Sequence, residues 1–70
     1  MGNIEERRKL VALRIKNARE SRGVTQSELS QRLADAGLNL GASTIAKIES
    51  GKRALEIVEA QALIEALQIG

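Results

Sequence analysis

The sequence contains no cysteine, no histidine, no proline and no aromatic side chain. Without cysteine there is no disulfide framework of the kind that staples tiny secreted domains. Without histidine as well, the nitrogen and sulfur ligands of the usual zinc and redox sites are missing. No metal and no cofactor is therefore expected. Nucleophile–histidine catalysis is excluded, which leaves only carboxylate or lysine chemistry. The missing aromatics remove the stacking platforms on which single-stranded nucleic acids are usually held. No apolar run approaches the roughly 18 residues of a transmembrane helix, and no signal peptide is expected. What is present is 70 residues, the size of one domain, whose core must be built from Leu, Ile, Val and Ala. The expected setting is cytoplasmic.

The net charge of +2 conceals a strongly dipolar chain. Arg7, Arg8, Lys9, Arg14, Lys16, Arg19 and Arg22 are opposed in their stretch only by Glu20. A second basic block holds Lys47, Lys52 and Arg53 around Glu49, while the C-terminal stretch carries Glu56, Glu59 and Glu65 and no base. One basic block is as well explained by a solvated helix face. Two blocks flanking a neutral stretch point to a polyanion partner.

No stretch alternates with the period of a strand, and the chain reads as all-α, a compact bundle of four to five helices. Helix 1 is expected over about 3–22, with Asn3 as N-cap and Glu6 three residues on. Its apolar stripe is Leu10, Val11, Ile15 and Ala18, and Gly23 is its left-handed terminator. Helix 2, about 26–36, opens on a capping box of Thr25 and Glu28 with a Val24–Leu29 staple. Leu29, Leu33 and Ala36 form its inner face, and Gly37 ends it. A short third helix, about 42–50, turns Ile45 and Ile48 inward and stops at Gly51. Helix 4, about 56–68, offers Ile57, Ala60, Leu63, Ile64 and Leu67 to the core, with Ile69 closing the bundle. The whole of 1–70 is expected to be a single domain.

Helix 2 and the short helix 3 together suggest a helix-turn-helix. Outside its two isoleucines, helix 3 carries Ala42, Ser43, Thr44, Ala46 and Lys47. These are small or flexible, so the backbone could approach a DNA groove closely. Hydroxyls can donate or accept at base edges, alanine can touch a thymine methyl, and lysine can reach guanine acceptors. The bland alternative is a connecting helix with a solvated polar face.

Gln26-x-x-Leu29-Ser30, followed by Ser43-Thr44-Ile45-Ala46-Lys47-Ile48-Glu49-Ser50-Gly51-Lys52-Arg53, resembles the lambda-repressor-like helix-turn-helix family. That family typically shows Gln-x-x-Leu-Ala, then Ser-Thr-Ile-Ser-x-Ile-Glu-x-Gly-x-Arg. The resemblance covers about residues 10–69, and its separated motifs agree in order. It implies a double-stranded DNA partner read in the major groove. Ala42, Ser43 and Lys47 match the positions that meet base edges. Gln26, at a helix N-terminus suited to an anion, matches a phosphate anchor, and Thr44 and Ser50 match positions near phosphates. Lys52 and Arg53 match the phosphate-binding loop. Arg19 and Glu49 match an ion pair between helices 1 and 3 that orients the reading helix without touching a base.

Two departures stand out. The family pattern is shorter between Gln26 and Glu49, so this chain carries extra residues around Leu33–Leu40, read as a longer helix 2 and the turn Gly37-Leu38-Asn39-Leu40-Gly41. Gly41 and Ala42 also stand where the family often has Ser, Arg or Gln, which shifts weight to Lys47, methyl contacts and DNA shape.

The resemblance implies a transcriptional regulator, foremost a repressor of the phage-immunity or Cro kind, binding a palindromic operator as a homodimer at least on DNA. Antitoxins and restriction-system controllers share the module. A rival of another class is a helical protein–protein interaction module. An enzyme is not expected. Glu56, Glu59 and Glu65 could in principle pair as catalytic carboxylates, but on a helix surface they read as solvating charges. Gly51-Lys52 lacks the rest of a P-loop.

Overall fold

The computed structural model describes residues 4–68. It contains four helices, α1 (Ile4–Ser21), α2 (Gln26–Asp35), α3 (Ala42–Glu49) and α4 (Ile57–Leu67), and no strand among the described residues. Asn3 and Ile69, assigned above to a cap and to the core, lie outside the described residues. α3 packs on both α1 and α2, and α4 packs on the same two helices. Ile15, Val24, Leu29, Leu33, Leu40, Ile45, Ile48, Leu63 and Leu67 form one aliphatic core.

The start of α2 is held as its sequence dictates. Thr25 Oγ1 accepts from the Glu28 backbone N–H at 3.0 Å, and the Thr25 N–H donates to Glu28 Oε1 at 3.1 Å. Those two bonds satisfy two donors that the helix leaves orphaned. Val24 and Leu29 close the staple beneath them, both buried.

Three helices end in the same way. Gly23, Gly37 and Gly51 have φ of 67°, 91° and 77°. Each glycine N–H bonds back three residues, and the next residue's N–H bonds back five: Val24 to Arg19, Leu38 to Leu33 and Lys52 to Lys47, at 3.1, 2.8 and 3.0 Å. This is the paired bonding of a Schellman end, which needs the left-handed residue that glycine supplies without a Cβ penalty. The end of α4 differs. Arg22 and Arg32 donate to the carbonyls of Gln68 and Ala66, both at 3.3 Å, placing cations at the negative end of the helix dipole.

The turn between α2 and α3 is anchored. Leu38 packs against the core and Leu40 is buried within it, while Ser30 Oγ donates to the Leu40 carbonyl at 2.6 Å.

Several expected inner faces are corrected. Leu10 and Val11 are 57% and 44% exposed; the side of α1 that meets the core carries Ala12, Ile15, Ala18 and Arg19. The run Leu10–Leu13 offers an apolar residue to every side of the helix, so composition alone does not pick the face. Ile57 and Ile64 are exposed as well. The inner stripe of α4 is Glu59, Leu63 and Leu67, spaced i, i+4, i+8, with a glutamate in the place an isoleucine was expected to fill. Ala36, the residue capping the end of α2, is exposed.

Candidate nucleic-acid interface

α3 divides sharply into two sides. Ile45, Ile48 and Glu49 are buried. Ser43, Lys47 and Ser50 are exposed, and their i, i+4, i+7 spacing sets them on one face. Ala42, Thr44 and Ala46 are half-buried along its edges. Ser50 closes the helix, its hydroxyl donating to the Lys47 carbonyl at 3.0 Å. The N-cap is Gly41, which provides no side-chain hydrogen bond. The first turn of α3 therefore presents free backbone N–H groups and little side-chain bulk.

What holds this helix in place is a carboxylate. Arg19 Nε donates to Glu49 Oε2 at 2.7 Å, and its Nη2 donates to Glu49 Oε1 at 2.9 Å. Its remaining arm donates to the Val24 carbonyl at 2.8 Å. The pair is buried, with side-chain exposures of 10% and 4%. Burial pushes the Glu49 carboxyl up, but hydrogen bonds from Arg19 and Gln26, with the charges of Arg19 and Lys16, outweigh it and hold the group below the usual carboxylate range. The same bond from Glu49 strengthens the hold of Arg19 on its proton. A two-pronged geometry of this kind is what guanidinium and carboxylate favour.

Gln26 completes the cluster. As the first residue of α2 it donates from Nε2 to Glu49 Oε1 at 3.1 Å. The residue matched to a phosphate anchor is thus braced by the carboxylate that fixes α3 to α1. One of its two amide protons is spent on this bond, and the half-buried side chain keeps a second donor.

Lys52 is exposed beyond the end of α3. Its neighbour Arg53 is otherwise engaged: Nη1 and Nη2 each donate to a Glu59 carboxylate oxygen at 2.9 Å. Glu59, read from sequence as a solvating charge, is only 6% exposed. The Arg53 hydrogen bonds hold its carboxyl below the usual range against the opposing effect of burial, with help from the Glu56 N–H, which donates at 3.0 Å. Arg53 therefore ties the loop after α3 to the start of α4.

Sequence reasoning missed two lysines. A side chain added at Gly51 would meet Lys9 Cγ at 3.5 Å, so the stem of Lys9 runs beside the loop that follows α3. Lys16, two helical turns further along α1, lies near enough to Glu49 to favour its ionised form. Their i, i+7 spacing within the first basic block was the available signal.

Fold and site together define a helix-turn-helix domain: a short helix clamped from behind, with small polar side chains and cations facing outward. A family model described as Helix-turn-helix matches residues 15–70. The chain belongs to the lambda-repressor-like helix-turn-helix family, whose members are DNA-binding regulatory domains. It is of the DNA-binding transcription-regulator kind. No curated protein and no solved structure matches the chain. Among the described residues no helix is long and apolar enough to cross a membrane.

Proposed function

We propose that the protein is a sequence-specific regulator of transcription that represses by occupying a two-fold-symmetric operator as a dimer, in the cytoplasm of a bacterial or phage-infected cell. The observation that carries this reading is the exposed Ser43–Lys47–Ser50 face of α3, backed by a buried ion pair that keeps the helix from rotating. α3 enters the major groove, where Lys47 reaches guanine acceptors, Ser43 bonds to a base edge and Ala42 lies against a thymine methyl. Gln26, Thr44, Ser50 and Lys52 approach phosphates on either side, and Lys9 and Lys16 extend the basic rim. Arg53, its charge largely offset by Glu59, shapes the phosphate-binding loop more than it attracts the strand.

Enrichment from a random duplex library tests the reading. The expected product is a palindrome with half-sites about one helical turn apart. Lys47→Ala should lower specific over non-specific binding, whereas Lys52→Ala should weaken both alike. Affinity should fall with salt at a log–log slope of about −0.9 per phosphate neutralised. No enrichment, or binding indifferent to salt, would overturn the assignment. A reporter under the enriched site separates repression, expected here, from activation.

A further inference from the structure

Between the first half of α1 and the start of α4 lies an open groove of about 360 Å³. Ile4, Arg7, Arg8 and Val11 build the α1 wall, and their i, i+3, i+4, i+7 spacing sets them on one side of the helix. Leu55, Ile57 and Ala60 line the opposite wall, and Ile48 reaches the floor from the buried side of α3. Ile4 is 76% exposed and Ile57 78%, so apolar surface continues from the floor to both lips. Contiguous apolar surface with a polar rim marks a place where something binds.

The charge of the rim selects among occupants. Arg7, Arg8 and Arg53 line the groove, and no carboxylate of the described residues does. Arg53 is offset by Glu59, but neither Arg7 nor Arg8 has a counter-ion among the described residues. Two unpaired guanidinium groups beside an aliphatic trough complement an acidic partner and repel a basic one. Shape narrows the choice further. A small ligand is usually covered over most of its surface, whereas this groove stays open along one side. A bilayer is flat and would leave the recessed floor unfilled. A helix fits. Laid along the trough, it turns aliphatic side chains at i, i+3 or i+4 and i+7 to the floor, and carboxylates on its flank to the arginines.

We propose that the groove seats an amphipathic acidic helix of another protein, with its aliphatic side chains between Ile4, Val11 and Ile57 and its carboxylates on Arg7 and Arg8. Ser43, Lys47 and Ser50 do not line the groove, so the partner sits apart from the face of α3 proposed to read DNA. Through Ile48 and Arg53 it touches the back of that helix and the loop that follows.

Selection from a displayed library of random peptides about four helical turns long, on the protein without DNA, tests the site. The result stands whether or not an operator exists. Enriched peptides should be acidic, with aliphatic residues at helical spacing. The chain contains no aromatic residue, so a single tryptophan placed on the apolar face of an enriched peptide reports its burial without background. Its emission should shift to the blue on binding. Ile57→Glu should weaken binding about thirtyfold, the scale of a lost anchor, and Arg7→Glu about tenfold. Both residues are exposed, so the variants' thermal melts should stay close to that of wild type. Exchanging the peptide's acids for lysines should abolish binding to wild type and restore it to the protein carrying Arg7→Glu with Arg8→Glu. No enrichment, enriched peptides without excess acid, or affinity indifferent to Ile57→Glu overturns the proposal. So does a peptide whose affinity falls with Lys47→Ala, which would sit on α3 instead. Binding of wild type to phosphatidylglycerol vesicles that is lost in Ile57→Glu would overturn it in favour of a membrane surface.

Discussion

After α1 and α2, the terminal glycine is followed by Val24 and Leu38, which turn back into the core; after α3 the corresponding residue is Lys52, which is exposed. The backbone is the same at all three ends, down to the pair of returning hydrogen bonds. In the usual version of this motif an apolar residue after the glycine packs against the last turn. Two of the ends keep it and the third does not. The difference teaches that the glycine only stops a helix, and the next side chain decides where the chain goes. Val24 and Leu38 lead it under the bundle. Lys52 leads it out to the exposed loop before α4.

The comparison can be broken most severely at the residue that anchors the odd end. Glu49 lies in the last turn of α3, and Glu49→Ala leaves the Arg19 charge buried and unpartnered. A loss of about 3–5 kcal/mol is expected, comparable to the whole stability of many small domains, so a urea melt should show a largely unfolded protein. Combining Arg19→Met with Glu49→Leu should recover much of it, because an apolar pair of similar volume avoids the cost of burying charge. Acid attacks the same point. Glu49 and Glu59 are both held below the usual carboxylate range when folded. The stability they confer is full above the unfolded pKa, about 4.3, and is lost as pH falls from there through the lower folded values. Melts at neutral pH and in a descending acid series should show a plateau and then a decline.

Exchange at the residue after the glycine comes next in size. Val24→Lys and Leu38→Lys should each cost about 2–3 kcal/mol, through lost packing and an unpaired charge at a buried or half-buried site. Lys52→Leu should change denaturant stability by no more than about 0.5 kcal/mol. Equal losses at all three places would mean that the third end is packed like the others. Alanine at Gly23, Gly37 or Gly51 should cost a similar amount each, about 1–2 kcal/mol, since each requires the left-handed conformation. The smallest effect on folding is expected from Lys52→Ala, which should leave the melt unchanged. Its signature is instead a salt slope of DNA binding shallower by about 0.9.

Much of α2 and α3 was legible because their signals are local. Thr25 and Glu28 lie within one turn of each other, and Leu29–Leu33 and Ile45–Ile48 are the only large apolar pairs on their helices. α1 and α4 were read less well for a shared reason. Both carry more aliphatic residues than one face can hold, and both give a core position to a charge. Arg19 and Glu59 sit where an isoleucine would serve, and their partners lie thirty and six residues away in sequence. A charged residue enters the core only when its counter-ion arrives, and the folded chain, not the helix period, brings them together. Leu10, Val11, Ile57 and Ile64 were assigned inward for the lack of that information. For the candidate interface, sequence pointed to α3 and its loop. It could not show that Gln26 leans on Glu49, that Arg53 is occupied by Glu59, or that Lys9 lies against Gly51.

The longer turn before α3 has a consequence for how the domain engages a partner. Ser30 stands where the family typically has alanine, and its hydroxyl is what fastens the Leu40 carbonyl. The longer turn is thereby fastened to α2, with Leu40 buried in the core. Less conformational entropy of that segment has to be surrendered on association than from a loop without these anchors. The pose of α3 is set by the bundle, through Ile45 and Ile48 in the core and the Arg19–Glu49 pair, and on the proposed reading its outward side chains can be exchanged without disturbing it. Exchanging Ser43 and Lys47 should re-address the domain to other sequences while the scaffold beneath stays as it is.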